Sequence, residues 1–589
     1  MQTFKKLLFL LTPKERKRAF LLTIIMLIMA LLDMIGVASI LPFIAILTNP
    51  SLVETNIILN IIFEASSVVG VENVQQFLFF LGVTVFIILI SSLAFKALTT
   101  YLQVHFIEMC QYNLSKNLVE GYLFQPYSWF LSRHSADLGK TILSEVSTVI
   151  SSGVGPILEL ISRGFVALAL ISLLLIADPK LTIIVGISLG VIYWLIFNFI
   201  RVYLKRFGAE RLRNNESRFK SISEAFGAAK EVKVGGLEQA YIKSYSVPAH
   251  SFAKINSYVL LISALPRFFL EAVAFGGILI IILYQMSQTE NFNNILPIIS
   301  LYVFAGYRMI PALQQIYISF NQLTFVGPSL DKLYDDFKKI KTVKPNQDQG
   351  QIFLNKTIDL KGISYTYPNI SRTTLKDINL SIPAKSTIGL IGATGSGKTT
   401  TVDIILGLLE AQKGTVVVDG QIITKKNSRS WQRSIGYVPQ HIFLSDDTIA
   451  SNIAFGVEPK NIDHAAVEKA SKIANLHQFV LDELPAKYQT TIGERGIRLS
   501  GGQRQRIGIA RALYHDPLVL ILDEATSSLD NETEKAVMDA VNNLRKEITI
   551  ILIAHRLNTV KNCDTIFKLD KGQLVGAGTF DEIINEKKN

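Results

Sequence analysis

A glycine-rich loop is the segment of the chain whose residue types and spacing most clearly indicate chemistry. Residues 392–400 read GATGSGKTT, which fits the pattern G-x-x-x-x-G-K-[ST] between an apolar strand-like run and a helical pattern. Backbone N–H groups of such a loop surround phosphate, and the N-terminus of the following helix adds positive potential. The pattern predicts that Lys398 neutralises the β- and γ-phosphates of a nucleotide and that the Thr399 hydroxyl binds Mg²⁺.

Polar residues also follow two apolar runs that predict buried strands. Residues 518–522 read LVLIL and lead into Asp523 and Glu524, and the run 548–554 leads into His555. Beside a phosphate loop, Asp523 is predicted to hold the metal and Glu524 to polarise the attacking water. His555 could contact the γ-phosphate, although a lone histidine at a strand end is more often structural.

The order and spacing of these motifs resemble the nucleotide-binding domain of ABC exporters. Residues 499–503 read LSGGQ, which is the signature of ABC ATPases. The resemblance implies that Tyr367 stacks on adenine, that Gln440 contacts Mg²⁺ and that His555 is the switch histidine. Residues 491–496 resemble the segment that touches the membrane domain in exporters.

The resemblance also implies a dimer, because in this family the signature of one subunit closes over the phosphate loop of the other. Residues 528–530 resemble the loop that links the two sites. We expect a homodimer with two competent sites, a heterodimer with one degenerate site being the alternative. Glu524 and His555 are the predicted catalytic residues, and Thr399, Gln440 and Asp523 the predicted Mg²⁺ ligands. The predicted ATP-binding residues are Tyr367, Gly392, Ala393, Thr394, Gly395, Ser396, Gly397, Lys398, Thr399, Thr400, Gln440, Ser500, Gly501, Gly502, Gln503 and Asp523.

The first half of the chain has the composition of a membrane protein. The 589 residues (65.5 kDa) are 49% hydrophobic and 18% charged, with a mean hydropathy of +0.34, which excludes a disordered or purely soluble protein. Apolar stretches of about 20 residues span a bilayer as helices. Six are predicted, at residues 20–47, 77–94, 155–177, 181–200, 258–284 and 295–320.

This pattern predicts a six-span α-helical membrane domain followed by an α/β P-loop nucleotide-binding domain. We place the membrane domain at residues 1–338 and the nucleotide-binding domain at residues 339–589. The six spans exclude a soluble ABC ATPase of DNA repair or translation. Cys110 and Cys563 lie far apart without further cysteine or histidine ligands nearby, so neither a disulfide framework nor a zinc site is predicted.

Basic residues indicate the orientation of the chain. The net charge of +11 comes from residues 1–18, with six Lys or Arg against one acid, and from residues 201–254, with eleven against five. Both segments flank apolar stretches, so membrane topology explains the charge better than a nucleic-acid partner does. We expect a multi-pass protein of the bacterial inner membrane whose termini and ATPase domain are cytoplasmic. Residues 127–134 and 235–245 are the predicted coupling helices, and residues 56–69 form a predicted amphipathic external helix.

Charged residues within the spans are candidates for the cargo site. Arg308 lies near the centre of its span and has no acid within it, and Lys96 and Arg267 are further cations. Each has an alternative: Arg267 could pair with Glu271, Lys96 could reach the cytoplasmic surface, and Arg308 could pair with Asp33 or Glu271. In a dimer these cations would be doubled, which favours an anionic head group because arginine binds phosphate in a bidentate manner.

The membrane half also resembles the bacterial half-transporters that flip polyprenyl-pyrophosphate-linked oligosaccharides. The resemblance lies in residues 31–42, LLDMIGVASILP, in the external helix and in the basic residues. It implies a cavity that binds the pyrophosphate and an external helix that meets the lipid tail, so a lipid-linked oligosaccharide flippase is the primary prediction. An exporter of lipid A-like glycolipids, peptides or drugs is the alternative. A regulatory or channel-like ABC protein is disfavoured by the intact Glu524.

Overall fold

The chain forms two compact units. The computed structural model describes residues 2–177, 179–288, 296–340, 350–368, 372–493, 496–525, 531–544, 547–554 and 557–585. One unit consists of Met1–Gln125 and Arg133–Thr342, and the other of Pro126–Ser132 and Val343–Asn589.

The first unit is helical throughout its described part and contains no strand there. Two π-helical turns, Thr141–Glu145 and Ile150–Val154, and the 3₁₀ turn Ser67–Val69 accompany the α-helices. The α-helices up to residue 339, of which α7 belongs to the second unit, are α1 Gln2–Leu10, α2 Pro13–Ala38, α3 Ile40–Thr48, α4 Leu52–Thr55, α5 Ile57–Ser66, α6 Val74–Leu123, α7 Tyr127–Phe130, α8 Ser135–Lys140, α9 Val146–Val149, α10 Gly155–Ala177, α11 Pro179–Gly227, α12 Ala229–Val234, α13 Glu238–Gln288, α14 Leu296–Phe325 and α15 Gly327–Lys339.

Three helical stretches in the described part of the chain are long and apolar enough to cross a membrane. They are Pro13–Thr48, Val74–Leu123 and Ser135–Ile176; the first two contain the first two predicted spans, and the last covers all but the final residue of the third. The helices α11, α13 and α14 run through the other three, whose side chains are only partly described. A helical membrane domain followed by an α/β domain is therefore confirmed.

Local sequence signals explain where the first spans begin. Thr12 and Glu15 form a capping box at the start of α2, since each side chain bonds the backbone N–H of the other residue. Asn73 caps α6 by accepting a hydrogen bond from the backbone N–H of Gln76. These caps satisfy donors that the helix itself leaves free.

The segments outside the spans differ in part from their predictions. The predicted external helix is present as α5, which Asn56 caps, and the coupling segment 127–134 contains α7. The second coupling segment, 235–245, is a turn followed by the start of α13, and its coupling role stays a prediction. α12 ends at Val234, and a turn through Gly236, whose φ is +60°, separates it from α13, which begins at Glu238. A residue with positive φ stops an α-helix, and glycine adopts that conformation without a steric penalty.

The second unit is built on two sheets. A four-stranded sheet has the order β2-β1-β4-β5, and a six-stranded sheet has the order β10-β9-β3-β8-β7-β6. The strands are β1 Thr357–Tyr365, β2 Leu375–Pro383, β3 Thr387–Ile391, β4 Lys413–Val418, β5 Gln421–Ile422, β6 Ile435–Val438, β7 Val519–Asp523, β8 Thr549–Ile553, β9 Thr565–Asp570 and β10 Gln573–Gly578. The helices are α16 Lys398–Ile405, α17 Ser428–Gln432, α18 Ile449–Ile453, α19 His464–Ile473, α20 His477–Asp482, α21 Gly501–Leu513, α22 Asn531–Asn543 and α23 Phe580–Asn585, with 3₁₀ turns at Pro459–Asn461, Lys487–Gln489 and Leu557–Val560.

The central strands of the six-stranded sheet are parallel, and their packing sets the position of the site. β3 pairs with β8, β8 with β7 and β7 with β6, all in the same direction. Alternate residues of β7 enter two different apolar cores: Val519 and Ile521 pack on one face, and Leu520 and Leu522 on the other. The carboxyl ends of these strands consequently meet at one edge, where ligands of open α/β sheets bind.

Candidate ATP site and membrane charge cluster

The loop between β3 and α16 has a backbone that requires glycine. Gly392 has a φ of +152°, and a Cβ atom there would lie 2.2 Å from the carbonyl oxygen of Leu569. Gly397 has a φ of +105°, and its Cβ would lie 2.5 Å from the side chain of Leu375. Any larger residue would move backbone or core atoms, so the glycine spacing fixes the shape of this loop.

Lys398 lies at the start of α16 and curls over the loop. Its Nζ atom donates hydrogen bonds to the carbonyl oxygens of Gly392, at 2.8 Å, and Ala393, at 3.1 Å. Burial lowers the pKa of Lys398, and the nearby carboxylates of Glu524 and Asp523 oppose that effect. The ammonium group is thus held among carbonyl and carboxylate oxygens at the mouth of the loop.

The loop fits a nucleotide phosphate. The Ser396 hydroxyl is buried and has no hydrogen-bond partner in the described part of the chain, so it is a free donor inside the loop. The side chains of Thr394 and Thr399 are exposed on the open side, where a hydroxyl can reach a metal ion. A buried hydroxyl, a lysine and a helix N-terminus together form an anion site.

The strand-end carboxylates lie at the same edge of the sheet. Asp523 ends β7, and Glu524 follows with a φ of +50°, which turns the chain sharply after the strand. The amide nitrogen of Gln440 donates a hydrogen bond of 2.7 Å to Oε2 of Glu524. Gln440 and Glu524, which are 84 residues apart in sequence, are therefore brought together.

A group of tyrosines and carboxylates lies beside Asp523. The Tyr437 hydroxyl of β6 forms a hydrogen bond with Asp523, and burial together with that carboxylate raises the pKa of Tyr437. Asp403 of α16 is also buried, and burial together with Asp523 raises its pKa to about 6. Tyr127 of α7 lies within electrostatic range of both Asp403 and Tyr437, and burial raises the pKa of Tyr127. The segment 126–132 thus lies near Asp523, the predicted metal carboxylate, inside this unit.

Tyr367 lies beside α16 and within electrostatic range of Asp403 and Tyr127. Its hydroxyl shares a hydrogen bond of 3.1 Å with the Thr400 hydroxyl, and its ring packs edge-to-face on Tyr365, with ring centroids 5.1 Å apart. One side of the ring is thereby held at a fixed distance from the phosphate loop. The adenine contact of Tyr367 stays a prediction.

The signature segment forms the start of α21. Ser500 caps this helix in a capping box with Gln503, with backbone-to-side-chain distances of 3.1 and 2.8 Å. Ser500 is exposed, and Gly501 and Gly502 are partly exposed. Among the described residues, no hydrogen bond joins this segment to the phosphate loop of the same chain.

Several predicted residues lie outside the described part of the chain. They are His555, residues 494 and 495 of the predicted membrane-contact segment, and the whole of residues 528–530.

In the membrane unit, a carboxylate and two cations form a cluster. Arg308 of α14 forms an ion pair and a hydrogen bond with Oδ1 of Asp33 in α2. The Ser92 hydroxyl donates to the same oxygen at 2.7 Å, and Lys96 Nζ lies 4.0 Å from Oδ2. Asp33 is 1% exposed. The alternative in which Arg308 pairs with Asp33 is therefore the arrangement observed.

The third predicted cation is held elsewhere. Arg267 forms an ion pair of 2.7 Å with Glu271 one helical turn later in α13, and both side chains are partly exposed. A similar local pair joins Arg163 to Glu159 at 3.1 Å in α10, and Gln103 donates to Glu159 at 2.9 Å. The structure thus joins Lys96 and Arg308 through Asp33, and Arg267 is bonded to its own helix instead.

The chain matches known families over both units. Residues 375–527 match the model described as ABC transporter, and residues 38–309 match the ABC transporter transmembrane region. A protein of Wigglesworthia glossinidia brevipalpis named ATP-dependent lipid A-core flippase is 31% identical over 485 residues, or 81% of each chain. This chain belongs to the ABC transporter family. A protein of Saccharophagus degradans with the same name is 31% identical over 488 residues, covering 80% of this ABC transporter and 79% of that protein.

The fold agrees with that membership. A solved structure of a bacterial Atm1-family ABC exporter with ATP bound aligns with a TM-score of 0.78 at 20% identity, covering 98% of this ABC transporter and 97% of that chain. Taken with the family matches and the named relatives, this ABC transporter is an ATP-driven integral membrane exporter with an ABC ATPase domain.

Sequence reasoning missed Tyr437 and Asp403. Both flank Asp523, Tyr437 from the neighbouring strand and Asp403 from α16. Strand parity could have identified Tyr437, because it lies opposite Ile521 in the register of β6 and β7, on the face that also carries Asp523. Asp403 carried no comparable signal, since a carboxylate one turn into a helix reads as an exposed residue.

Proposed function

We propose that this ABC transporter is a homodimeric flippase that uses ATP and Mg²⁺ to move an anionic glycolipid of the lipid A type across the bacterial inner membrane. The single observation that carries the cargo class is the pair of cations, Lys96 and Arg308, held around a buried carboxylate within the spans. Such cations are costly in a membrane and mark ligand sites. The name carried by the relatives, lipid A-core flippase, supports the glycolipid part of the proposal.

In the ATP site, each residue has a role that its position allows. Lys398 and the Ser396 hydroxyl bind phosphate oxygens, and Tyr367 stacks on the base. Thr399, Gln440 and Asp523 hold Mg²⁺, which when bound neutralises charge on the β- and γ-phosphates. Glu524 acts as the general base for water, and the Gln440 amide, 2.7 Å away, orients it.

The dimer follows from the position of the signature. The Ser500 end of α21 is exposed and makes no hydrogen bond to the phosphate loop of its own chain among the described residues. A helix N-terminus favours phosphate, so a second copy can offer this end to the γ-phosphate. Two identical chains then complete two identical sites, with His555 as the proposed switch residue in each. Binding of ATP by both copies would close the pair, and hydrolysis would reopen it.

The coupling between ATP and cargo is proposed to pass through α7. This helix belongs to the nucleotide-binding unit, and Tyr127 lies within electrostatic range of Asp403 and Tyr437. A change at the metal carboxylate can therefore reach the segment that joins α6 to α8. The surplus of basic residues before the first span supports a cytoplasmic location for the termini and the ATPase domain.

A polyprenyl-pyrophosphate oligosaccharide is the second candidate cargo, and the external helix favours it. α5 exposes Ile57, Ile58 and Ile61, each at least 60% accessible, on a short helix between the first two spans. An apolar helix face at a membrane surface suits a long lipid tail. Both candidates are phosphorylated amphiphiles, so the cation pair serves either.

The test is stimulation of ATPase activity in nanodiscs by three lipids. Lipid A, dephosphorylated lipid A and undecaprenyl-pyrophosphate oligosaccharide are each titrated against the wild-type dimer. We expect lipid A to stimulate turnover and its dephosphorylated form to do so at least about tenfold less well, since bidentate Arg–phosphate contacts are lost.

The outcomes separate the candidates. Stimulation by the pyrophosphate lipid alone would make the second candidate the function. Equal stimulation by lipid A and its dephosphorylated form would reject an anionic cargo site.

A further inference from the structure

We infer that Asp33 is a resident anion of the cargo site, which the phosphate of an amphiphile must displace from Arg308. The inference deepens the proposed function and rests on it only for the class of ligand. In this role Asp33 determines how tightly and how selectively the site binds phosphate, whereas the cations contact the phosphate directly.

Asp33 is more deeply buried than the cation with which it pairs. Asp33 is 1% exposed, and the side chain of Arg308 is 15% exposed, so water reaches the cation but hardly the carboxylate. A buried carboxylate is held in place only by its partners. Here those partners are Arg308, Lys96 and Ser92, which come from two other helices.

The cluster of Asp33, Lys96 and Arg308 has an excess of positive charge. With one carboxylate and two cations the cluster carries a net charge of +1, so it retains an attraction for an anion even when Asp33 is ionised. The guanidinium of Arg308 can bind either a carboxylate or a phosphate in a bidentate manner, but its hydrogen-bond donors are limited. A phosphate that engages Arg308 therefore competes with Asp33 for the same donors.

Asp33 also accepts a hydrogen bond from a donor other than Arg308. The Ser92 hydroxyl donates to Oδ1 of Asp33 at 2.7 Å. When Arg308 turns to a phosphate, Ser92 and Lys96 still satisfy the carboxylate, so the exchange leaves no buried group without a partner. Removing Ser92 would make that exchange more costly.

Two variants of the cluster are expected to change the affinity for phosphate in opposite directions. Asp33→Asn removes the competing charge and should tighten phosphate binding about tenfold, which corresponds to one close ionic competitor. Ser92→Ala keeps the competitor but removes one of the two donors that would remain to it, and should weaken phosphate binding about threefold. If the cluster had a purely structural role, both variants would change the affinity for phosphate in the same direction.

The chain offers a matched control within the same unit. Glu271 is another carboxylate of a predicted span with a cation as partner, but its cation, Arg267, lies on its own helix. Glu271→Gln should therefore leave phosphate binding within about twofold of the wild type.

The experiment measures equilibrium binding of dioctanoyl phosphatidic acid to the full-length protein by native mass spectrometry, with dioctanoylglycerol as the neutral probe. Tighter binding in Asp33→Asn and weaker binding in Ser92→Ala, for the charged probe only, would support the inference. Weaker or unchanged binding in Asp33→Asn would overturn it, as would equal shifts for the neutral probe. If Asp33→Asn does not fold, the Ser92→Ala result decides alone, and unchanged binding there overturns the inference.

The probe shares only the phosphate with the proposed cargo, so a failure of this experiment can be distinguished from a failure of the proposed function. If lipid A fails to stimulate the ATPase but the two variants still shift phosphatidic acid binding in opposite directions, lipid A is rejected as the cargo and the role of Asp33 stands. If lipid A stimulates the ATPase but the two variants show no such shifts, the cargo stands and the role of Asp33 is rejected.

Discussion

The ATP site and the membrane charge cluster hold their polar groups in different ways. In the ATP site, Lys398, Asp523 and Glu524 all lie at the ends of parallel strands or at the helix start that follows one. Their positions follow from the sheet, and each is within a few residues of a recognisable motif. In the membrane cluster, Asp33 and Arg308 are 275 residues apart, and only the packing of two helices brings them together.

The difference teaches what each kind of site demands. A strand end presents the same edge in every open parallel sheet, so the chemistry of the ATP site can be local in sequence. A charge inside a membrane must find a partner wherever the bundle provides one. Variants of the ATP site should therefore alter turnover whatever the cargo, whereas variants of the membrane cluster should alter the response to cargo.

The largest expected effect is at the general base. Glu524→Gln keeps the hydrogen-bonding shape beside Gln440 but removes the charge that takes the proton from water. We expect ATP turnover to fall by about 100-fold or more, because general-base catalysis contributes on that scale, while ATP still binds. Steady-state hydrolysis and nucleotide binding on the same sample measure this, and undiminished hydrolysis would reject Glu524 as the base.

A charge swap tests whether the membrane cluster does more than stabilise the bundle. The double variant Asp33→Arg/Arg308→Asp restores an ion pair across the same two helices but moves the cation to α2. We expect folding and basal hydrolysis to persist and stimulation by lipid A to require about tenfold more lipid, because the phosphate contact is displaced. Thermal unfolding and ATPase titrations report the two properties, and full stimulation would make the cluster purely structural.

Tyr437 tests the region that sequence motifs did not reveal. Tyr437→Phe removes the hydroxyl that bonds Asp523 but keeps the ring in the core. We expect about fivefold more Mg²⁺ to be needed for half-maximal hydrolysis, since a hydrogen bond to a charged group is lost, with the affinity for ATP alone unchanged.

The matched control for Tyr437 is Tyr365→Phe. Tyr365 is a buried tyrosine of the neighbouring sheet that no described hydrogen bond connects to Asp523. An equal change in both variants would show that Tyr437 acts only through packing.

The smallest expected effect is at Tyr367. Tyr367→Phe loses the hydrogen bond to Thr400 but keeps an aromatic face for the base. We expect ATP affinity to fall by no more than about threefold, which is the cost of one neutral hydrogen bond. Fluorescent-nucleotide titration measures it, and a loss as large as that of Tyr367→Ala would mean that the hydroxyl, and not the ring, binds the nucleotide.

The sequence predicted the fold class and the positions of the strand-end residues because both depend on short-range patterns. A glycine loop after a strand can be recognised from a short stretch of sequence alone, and so can acidic residues at the end of an apolar run. The same holds for α5, whose start is set by Asn56.

Residues whose role depends on distant contacts were harder to predict. Asp33 was one of two possible partners of Arg308, and only helix packing decides between it and Glu271, which pairs with Arg267 instead. The turn at the start of the coupling segment 235–245 was not predicted, because the effect of a positive φ at Gly236 on helix ends is not visible in composition. Tyr437 reaches Asp523 across two strands that are 80 residues apart in the chain, so only sheet register connects them.

The central claim is that ATP hydrolysis moves a phosphorylated glycolipid across the membrane. The most direct measurement reconstitutes the full-length protein in proteoliposomes with fluorescent lipid A and follows its loss of access to an added phosphatase. We predict ATP-dependent protection in the wild type, none in Glu524→Gln, and slower protection in Arg308→Gln at comparable basal hydrolysis. Healthy ATP hydrolysis with no change in lipid accessibility would contradict the account.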